Sequence, residues 1–180
     1  MSKVLMKVFL SSVLALSIIS SCTLLNKKKE EVKTNDLVGI VTLHDIENSE
    51  HNKWYSLGLQ NYELDAETLN NINNNFADKE SISIKIFFGT WCSDSRRELP
   101  RFMKILNFLG MKNFEIVGLD RDKKSPKKLE KGMNIHHVPT FIIYKNGKEL
   151  NRIVESPINS LELDFNSIIR SKKYTPNYSN

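Results

Sequence analysis

The spacing of apolar residues predicts strands and helices from about residue 38 onward. Residues 81–89 (SISIKIFFG) first alternate and then become continuously apolar, which is typical of a strand buried on both faces. Residues 93–110 place apolar side chains at helical spacing and end at Gly110, so a helix is expected there. Residues 114–120 (FEIVGLD) indicate another buried strand. Strand, helix and strand in this order predict a parallel pair of strands with a crossover helix.

Sequence patterns before and after this strand–helix–strand region predict the remaining elements of the fold. Residues 37–43 and 53–59 have strand-like compositions, and Asp65 is suited to begin a helix as its N-cap. Farther along, an Asn-Gly pair at 146–147 between two strand-like runs predicts a hairpin, and residues 159–171 indicate a terminal helix. We therefore expect an α/β fold with a mixed central β-sheet flanked by α-helices.

The first residues have a different pattern, which is typical of a targeting segment. Two lysines in MSKVLMK precede about twelve mostly apolar residues, a stretch too short to span a bilayer as a mature helix. Residues 19–22 (ISSC) resemble the bacterial lipoprotein signal, in which the cysteine becomes the first mature residue and carries lipid. We therefore expect a signal peptide at 1–21 and a lipid attachment site at Cys22. An ordinary secretory signal or a short membrane anchor is the alternative.

A lipid-bearing Cys22 predicts a domain anchored to a membrane of the cell envelope, outside the cytoplasm. Thr23 supplies no acidic inner-membrane retention signal, so the outer membrane is favoured. The charged run NKKKEEVKTND that follows has few apolar residues and is interpreted as part of a flexible tether. The predicted organisation consists of five segments: signal peptide 1–21, lipidated cysteine and tether 22–37, N-terminal extension 38–54, main domain 55–172, and polar tail 173–180.

Composition narrows the possible functions. The chain has 180 residues, 40% of them hydrophobic and 26% charged, which is ordinary for one globular domain with extra segments. Its net charge is +5, and no basic stripe is interleaved with aromatic residues. Nucleic-acid binding is therefore not expected.

Cys92 is the candidate reactive residue. It lies in FFGTWCSDSRRELP, where a predicted strand ends and a predicted helix begins. A thiol at a helix N-terminus faces unpaired backbone N–H groups, which stabilise a thiolate. Arg96 and Arg97 could add to this stabilisation, whereas Asp94 would oppose it, so the net effect stays open. The alternative interpretation of Cys92 is an inert core cysteine.

Several motifs together resemble the thioredoxin family over residues 55–172. They are FFGTWCSDS, Pro100, HVPTF and YKNGKEL, with 47 residues separating Cys92 from Pro139. The resemblance implies a thioredoxin fold and a cis peptide before Pro139, which would pack against Cys92. It also implies that Trp91, Val138 and Pro139 contact an extended polypeptide substrate, with the Val138 backbone pairing to it as in strand addition.

Two positions depart from the family pattern. Ser95 replaces the second cysteine, whose thiol would attack a mixed disulfide and release the product. Ile86 stands where the family has a buried acid that serves this second thiol. We expect Cys92 and Ser95 to form a one-thiol catalytic site, with Ser95 donating a hydrogen bond to the thiolate and an external thiol or redox partner resolving the mixed disulfide.

The sequence thus predicts monothiol exchange, either reduction or isomerisation of disulfide-containing polypeptides, without a cofactor. A non-catalytic module that binds extended polypeptides is the alternative. A single-cysteine peroxidase is disfavoured, because Gly89 stands where such enzymes place a threonine. His136 and His137 are interpreted as loop residues, so no metal site is expected.

Overall fold

A computed structural model describes residues 35–178. The predicted signal peptide, the lipid attachment site at Cys22 and most of the tether lie outside the described residues. Among residues 35–178, no helix is both long enough and apolar enough to cross a membrane.

Five strands form one mixed sheet. They are β1 (Gly39–Val41), β2 (Ile82–Phe88), β3 (Phe114–Gly118), β4 (Thr140–Lys145) and β5 (Lys148–Val154). The order across the sheet is β1-β3-β2-β4-β5, with β2 and β3 parallel and the other neighbours antiparallel. The mixed central sheet and the parallel pair predicted from the sequence are confirmed.

Helices flank this sheet. They are α1 (Leu43–Glu47), α2 (Asn52–Asn61), α3 (Ala66–Asn75), α4 (Ser93–Phe108) and α5 (Leu161–Ile169), with a 3-10 turn at Lys79–Ser81. Asp65 caps α3 as predicted, since its side chain accepts a hydrogen bond from the Thr68 N–H at 3.0 Å.

The strand predicted at residues 53–59 is wrong, because this stretch forms most of α2. Its aromatic and leucine content suggested a strand, yet α2 presents Tyr55 to the core and packs against α4. The contact is close: a Cβ added to Gly58 would lie 2.3 Å from the Cγ atom of Pro100. Tertiary packing therefore overrides local composition here.

The central strand β2 becomes buried on both faces at its C-terminal end, Ile86–Phe88, where the sequence turns continuously apolar. Ile84, Ile86 and Phe88 contribute to the large core beneath α2, α4 and α5. Phe87 points to the other face, where it packs with Val138 and three other buried residues. Because Trp91 and Cys92 pack against this smaller cluster, it forms the floor of the candidate site.

The close approach of α2 and α4 leads to a test of the fold. Gly58→Ala should lower the free energy of unfolding by about 1–3 kcal/mol, because the added methyl group overpacks the contact with Pro100. In an exposed helix the same change would stabilise by about 1 kcal/mol. Urea denaturation measures the difference, with Leu57→Ala, at a neighbouring position that is 46% exposed, as the control. The loss should shrink in a Pro100→Ala background, and a stabilising effect of Gly58→Ala would contradict the packing.

Candidate active site

Cys92 stands at the N-terminus of α4. It is the N-cap residue, with extended backbone angles of φ −91° and ψ 128°. Its carbonyl accepts the first helical hydrogen bond, from the Arg96 N–H at 3.1 Å. The half-buried side chain does not cap the helix; its Sγ donates instead to the Val138 carbonyl at 3.1 Å. The thiol thus faces the loop that precedes β4.

That loop contains a cis peptide bond between Val138 and Pro139, as the resemblance implies. The Pro139 carbonyl accepts a hydrogen bond from the Glu155 N–H at 2.8 Å, and the Thr140 hydroxyl donates to the His137 carbonyl at 2.7 Å. These bonds fix the loop on both sides of the cis bond. In the part of the chain that the structure describes, the Val138 N–H has no hydrogen-bond partner.

Trp91 forms a wall of the site. Its indole N–H donates to the Leu119 carbonyl at 2.9 Å, at the end of β3. The ring lies against Gly89, where an added Cβ would come within 2.6 Å of the indole Cε2 atom. The Arg121 guanidinium is 5.7 Å from the ring centroid on another side. The structure therefore brings Trp91, Cys92, Val138 and the adjoining Pro139 into one site.

Ser95 is fully buried one helical turn after Cys92. Its hydroxyl oxygen accepts a hydrogen bond from the Gly89 N–H at 3.1 Å, just after the end of β2. Among the described residues, this is the hydrogen bond recorded for the Ser95 side chain. Donation from the hydroxyl to a Cys92 thiolate stays a prediction.

The two arginines proposed to stabilise the thiolate have other partners. The Arg96 Nε group donates to the Thr90 carbonyl. Arg97 forms ion pairs with Glu98 and with Asp94, the latter at 2.7 Å. The hydrogen bond to Glu98, followed by the charges of both acids, raises the pKa of Arg97 above its usual value. Pairing with Arg97 also offsets the opposing charge of Asp94 beside the thiol.

A second group of residues lies on the other flank of the cis bond. The sequence alone did not indicate that these residues contact one another. The His137 Nδ1 atom is 2.9 Å from Glu155 Oε1, and the Tyr178 hydroxyl donates to Glu155 Oε2 at 2.7 Å. The His137 and Tyr178 rings are stacked, with centroids 3.9 Å apart. The hydrogen bond to Glu155, and then the charges of Glu155 and Asp94, raise the pKa of Tyr178. The segment interpreted as a polar tail thus reaches the site.

A cleft of about 610 Å³ lies at this flank, and several of its lining residues are polar. The lining includes His136, His137, Arg152, Asn177 and Tyr178. Within residues 35–178, no three His, Cys, Asp or Glu side chains are placed to hold a metal ion. His137 and Thr140, which flank the Val138–Pro139 bond, both line this cleft, so its position suits it to side chains of a bound polypeptide.

Comparisons with known proteins show which family the chain resembles. The thioredoxin family model matches residues 63–165. Thioredoxin-1 of Schizosaccharomyces pombe is 30% identical over 84 residues, which are 47% of this chain and 78% of that protein. The thioredoxin Asp f 28 of Aspergillus fumigatus is 32% identical over 83 residues, which are 46% of this chain and 73% of that protein. Among solved structures, Fasciola hepatica thioredoxin aligns with a TM-score of 0.38 and 24% identity, covering 59% of this chain and 93% of that chain.

The backbone role of Ser95 can be tested separately from its predicted role toward the thiolate. Ser95→Ala should lower the free energy of unfolding by about 1–3 kcal/mol, because the buried Gly89 N–H loses its acceptor. Ser93→Ala, on the exposed side of the same turn, should change stability by less than about 0.5 kcal/mol. Denaturation in urea measures both effects. Equal stability of the two variants would show that the Gly89 bond contributes little.

Proposed function

Because the chain belongs to the thioredoxin family, we propose that it is a membrane-anchored envelope protein that performs thiol–disulfide exchange through the single thiol of Cys92. The fold predicted from the sequence, a thioredoxin fold, is confirmed by the family match and the mixed sheet. The homologues support thiol–disulfide oxidoreductase activity, with a redox partner and disulfide substrates, at the level of the family. The one-thiol mechanism and the membrane anchoring are what we propose beyond this.

One contact carries the one-thiol proposal. The Cys92 Sγ atom lies 3.1 Å from the Val138 carbonyl and is partly open to solvent. The adjoining Val138 N–H is without a partner among the described residues, so an extended chain has a backbone donor to pair with. Once Cys92 is ionised it no longer donates, and the Val138 carbonyl then also becomes available to the substrate.

The exchange at Cys92 needs two thiol attacks. The Cys92 thiolate attacks one sulfur of a substrate disulfide; a bond forms between the two sulfurs, and the old bond breaks as the other sulfur leaves as a thiolate. An external thiolate then attacks the substrate sulfur of the mixed disulfide, and Cys92 leaves as a thiolate. If the external thiol belongs to the substrate itself, the result is isomerisation. If it is a separate thiol, it becomes joined to the substrate sulfur as Cys92 leaves. A second external thiolate then attacks the sulfur of the first external thiol, so that the substrate sulfur leaves as a thiolate and the two external thiols end as one disulfide.

Ser95 is the reason why the second thiol must be external. A hydroxyl at this position cannot attack a disulfide at neutral pH, and its oxygen accepts the Gly89 N–H. Ile86, at the position of the family's buried acid, is fully buried in the large core. Without a second thiol no such acid is needed, so both departures support the same one-thiol mechanism.

The membrane anchor is proposed from the sequence around Cys22. The residues ISSC follow a short apolar run, which supports lipid attachment and a location in the cell envelope, with the outer membrane favoured. Lipid on Cys22 would also remove the only other thiol of the chain. Cys92 would then have no partner within the same molecule.

Trapping of mixed disulfides in cells tests the proposal. The full chain should form disulfide-linked complexes that disappear on reduction and are absent in Cys92→Ser, since the variant cannot form the bond. The complexes should sediment with membranes, and Cys22→Ser should move them to the soluble fraction. Gel electrophoresis without reductant, followed by mass spectrometry, measures both. Partner capture by Cys92→Ser equal to that of the native chain would instead favour the non-catalytic binding module.

A second thiol at position 95 should allow the mixed disulfide on Cys92 to be resolved within the molecule, without an external thiol. In Ser95→Cys, a preformed mixed disulfide between Cys92 and a peptide should release the peptide without added thiol, because the new thiol lies one helical turn away. The native chain should hold the peptide under the same conditions. Ser93→Cys is the matched control, since its side chain is exposed and adjacent to Cys92. Rapid release by the native chain would contradict the one-thiol mechanism.

A further inference from the structure

The connection between β3 and β4 carries a concentrated positive charge. We define the basic segment as residues 120–131, which contain six basic and three acidic side chains. The basic residues are Arg121, Lys123, Lys124, Lys127, Lys128 and Lys131. Overall composition conceals this local excess, because the net charge of the chain is mild.

Two of the three acids of the basic segment bond to its backbone and to Ser125 rather than forming ion pairs with its lysines. Asp120 Oδ1 accepts hydrogen bonds from the backbone N–H groups of Asp122 and Lys124, at 2.9 and 2.8 Å. The buried Glu130 accepts through Oε2 from the Ser125 hydroxyl at 2.6 Å and from its N–H at 3.1 Å. Within residues 35–178, none of the five lysines of the segment forms an ion pair. Asp120 and Glu130 therefore hold the fold of the segment. Its six basic groups outnumber its three acids, and its lysines are not engaged in ion pairs among the described residues.

The basic segment begins at the wall of the candidate active site. Leu119, the residue before it, accepts the hydrogen bond of the Trp91 indole, and Arg121 lies over the Trp91 ring. A cleft of about 600 Å³ runs along the segment and is lined by three of its lysines, Lys124, Lys128 and Lys131. Cationic groups thus extend outward from the edge of the site that holds Cys92.

This cleft adjoins the one beside the cis bond. The two clefts share Asn134 and His136 in their linings. His136 is two residues before Val138, whose N–H is the proposed donor to the substrate. A chain that pairs with Val138 would therefore place its flanking residues within reach of the lysines.

We propose that the basic segment binds acidic residues that flank the reactive sulfur of the polypeptide substrate. This inference rests on the proposed function, because it assigns a substrate class to exchange at Cys92. Opposite charge raises the local concentration of substrate and the association rate, by about 10- to 1,000-fold in steered systems. Salt screens this attraction and so reduces the gain in association rate, since the Debye length falls to about 3 Å at 1 M ionic strength.

A polypeptide fits this surface better than an anionic membrane does. The lysine cleft adjoins, through His136, the face that presents Cys92 and the Val138 N–H. A bilayer held against the lysines would cover the thiol and exclude an extended substrate from the loop. An acidic polypeptide occupies the lysine cleft and the loop at the same time.

The proposal is tested with two synthetic peptides that carry one cysteine linked to thionitrobenzoate. One has four glutamates near the cysteine, and the other has glutamines at the same positions. The Cys92-dependent rate is the rate of thionitrobenzoate release by the full chain minus that by Cys92→Ser. At low salt the acidic peptide should react at least about ten times faster than the neutral peptide. The ratio should fall toward one at 1 M salt.

Charge variants locate the effect. Combined Lys124→Gln, Lys128→Gln and Lys131→Gln should bring the acidic-to-neutral rate ratio close to one. The matched control combines Lys53→Gln, Lys112→Gln and Lys148→Gln, which remove the same charge from exposed positions. Lys112 precedes β3 and Lys148 begins β5, so both lie at the end of the sheet opposite Cys92. The control should keep the native ratio; equal loss in both triple variants would overturn the proposal.

A binding measurement separates this inference from the proposed function. Versions of the two peptides with serine in place of cysteine are titrated by fluorescence anisotropy, which requires no exchange. Preference for the acidic peptide without any Cys92-dependent release would support the basic segment and reject the exchange activity. Equal binding of the two peptides, with release from both, would reject the acidic preference and keep the exchange. Equal peptide binding combined with lysine-dependent binding to phosphatidylglycerol vesicles would assign the surface to lipid and overturn the proposal.

Discussion

The backbone of Gly89 connects the core to the candidate site. Its N–H donates to the buried Ser95 hydroxyl, and its carbonyl accepts from the Cys92 N–H at 3.0 Å. The Trp91 indole occupies the space that a side chain at position 89 would fill. These contacts fix the end of β2, the start of α4 and the wall of the site relative to one another. The position of the thiol therefore depends on a residue that has no side chain.

The replacement of the second cysteine has a structural meaning as well as a chemical one. The Ser95 hydroxyl satisfies a buried backbone donor, a task that a thiol performs less well because sulfur is a weak acceptor. Ile86 in turn adds a fully apolar side chain to the core where a buried acid would carry a desolvation cost. Both residues thus suit the interior around Cys92, and in the proposed mechanism they also leave the resolution of a mixed disulfide to an external thiol.

Local sequence patterns correctly predicted those elements in which the spacing of apolar residues matches the side chains that are buried in the fold. The apolar run of β2 and the Asn-Gly turn were predicted correctly, because burial on two faces and left-handed backbone angles (φ 51° and 76° at 146 and 147) leave few alternatives. The α2 segment was predicted wrongly because its helix depends on the fit of Gly58 against Pro100, a contact between distant residues.

The candidate site likewise has one feature that was expected from the sequence and one that was not. The family resemblance correctly implied the cis bond between Val138 and Pro139. The contact of Tyr178 with His137 and Glu155, by contrast, joins polar residues far apart in the chain. No periodic signal marks such a contact. The lysines of the basic segment are visible in the sequence, but the contacts of Leu119 and Arg121 with Trp91 are needed to show that the segment begins at the wall of the site.

One-thiol chemistry and charge recognition are related through the lifetime of the mixed disulfide. A dithiol protein escapes from an unproductive mixed disulfide by internal attack, so selection of substrate can follow the covalent step. In the proposed one-thiol mechanism, a wrong partner would stay attached to Cys92 until an external thiol arrives. Selection must then act before the bond forms, at the stage of encounter. The lysines of the basic segment, as proposed above, would act at that stage, because electrostatic attraction governs association more than residence. Under this proposal the basic segment would provide, before the bond forms, the discrimination that a second cysteine could provide after it.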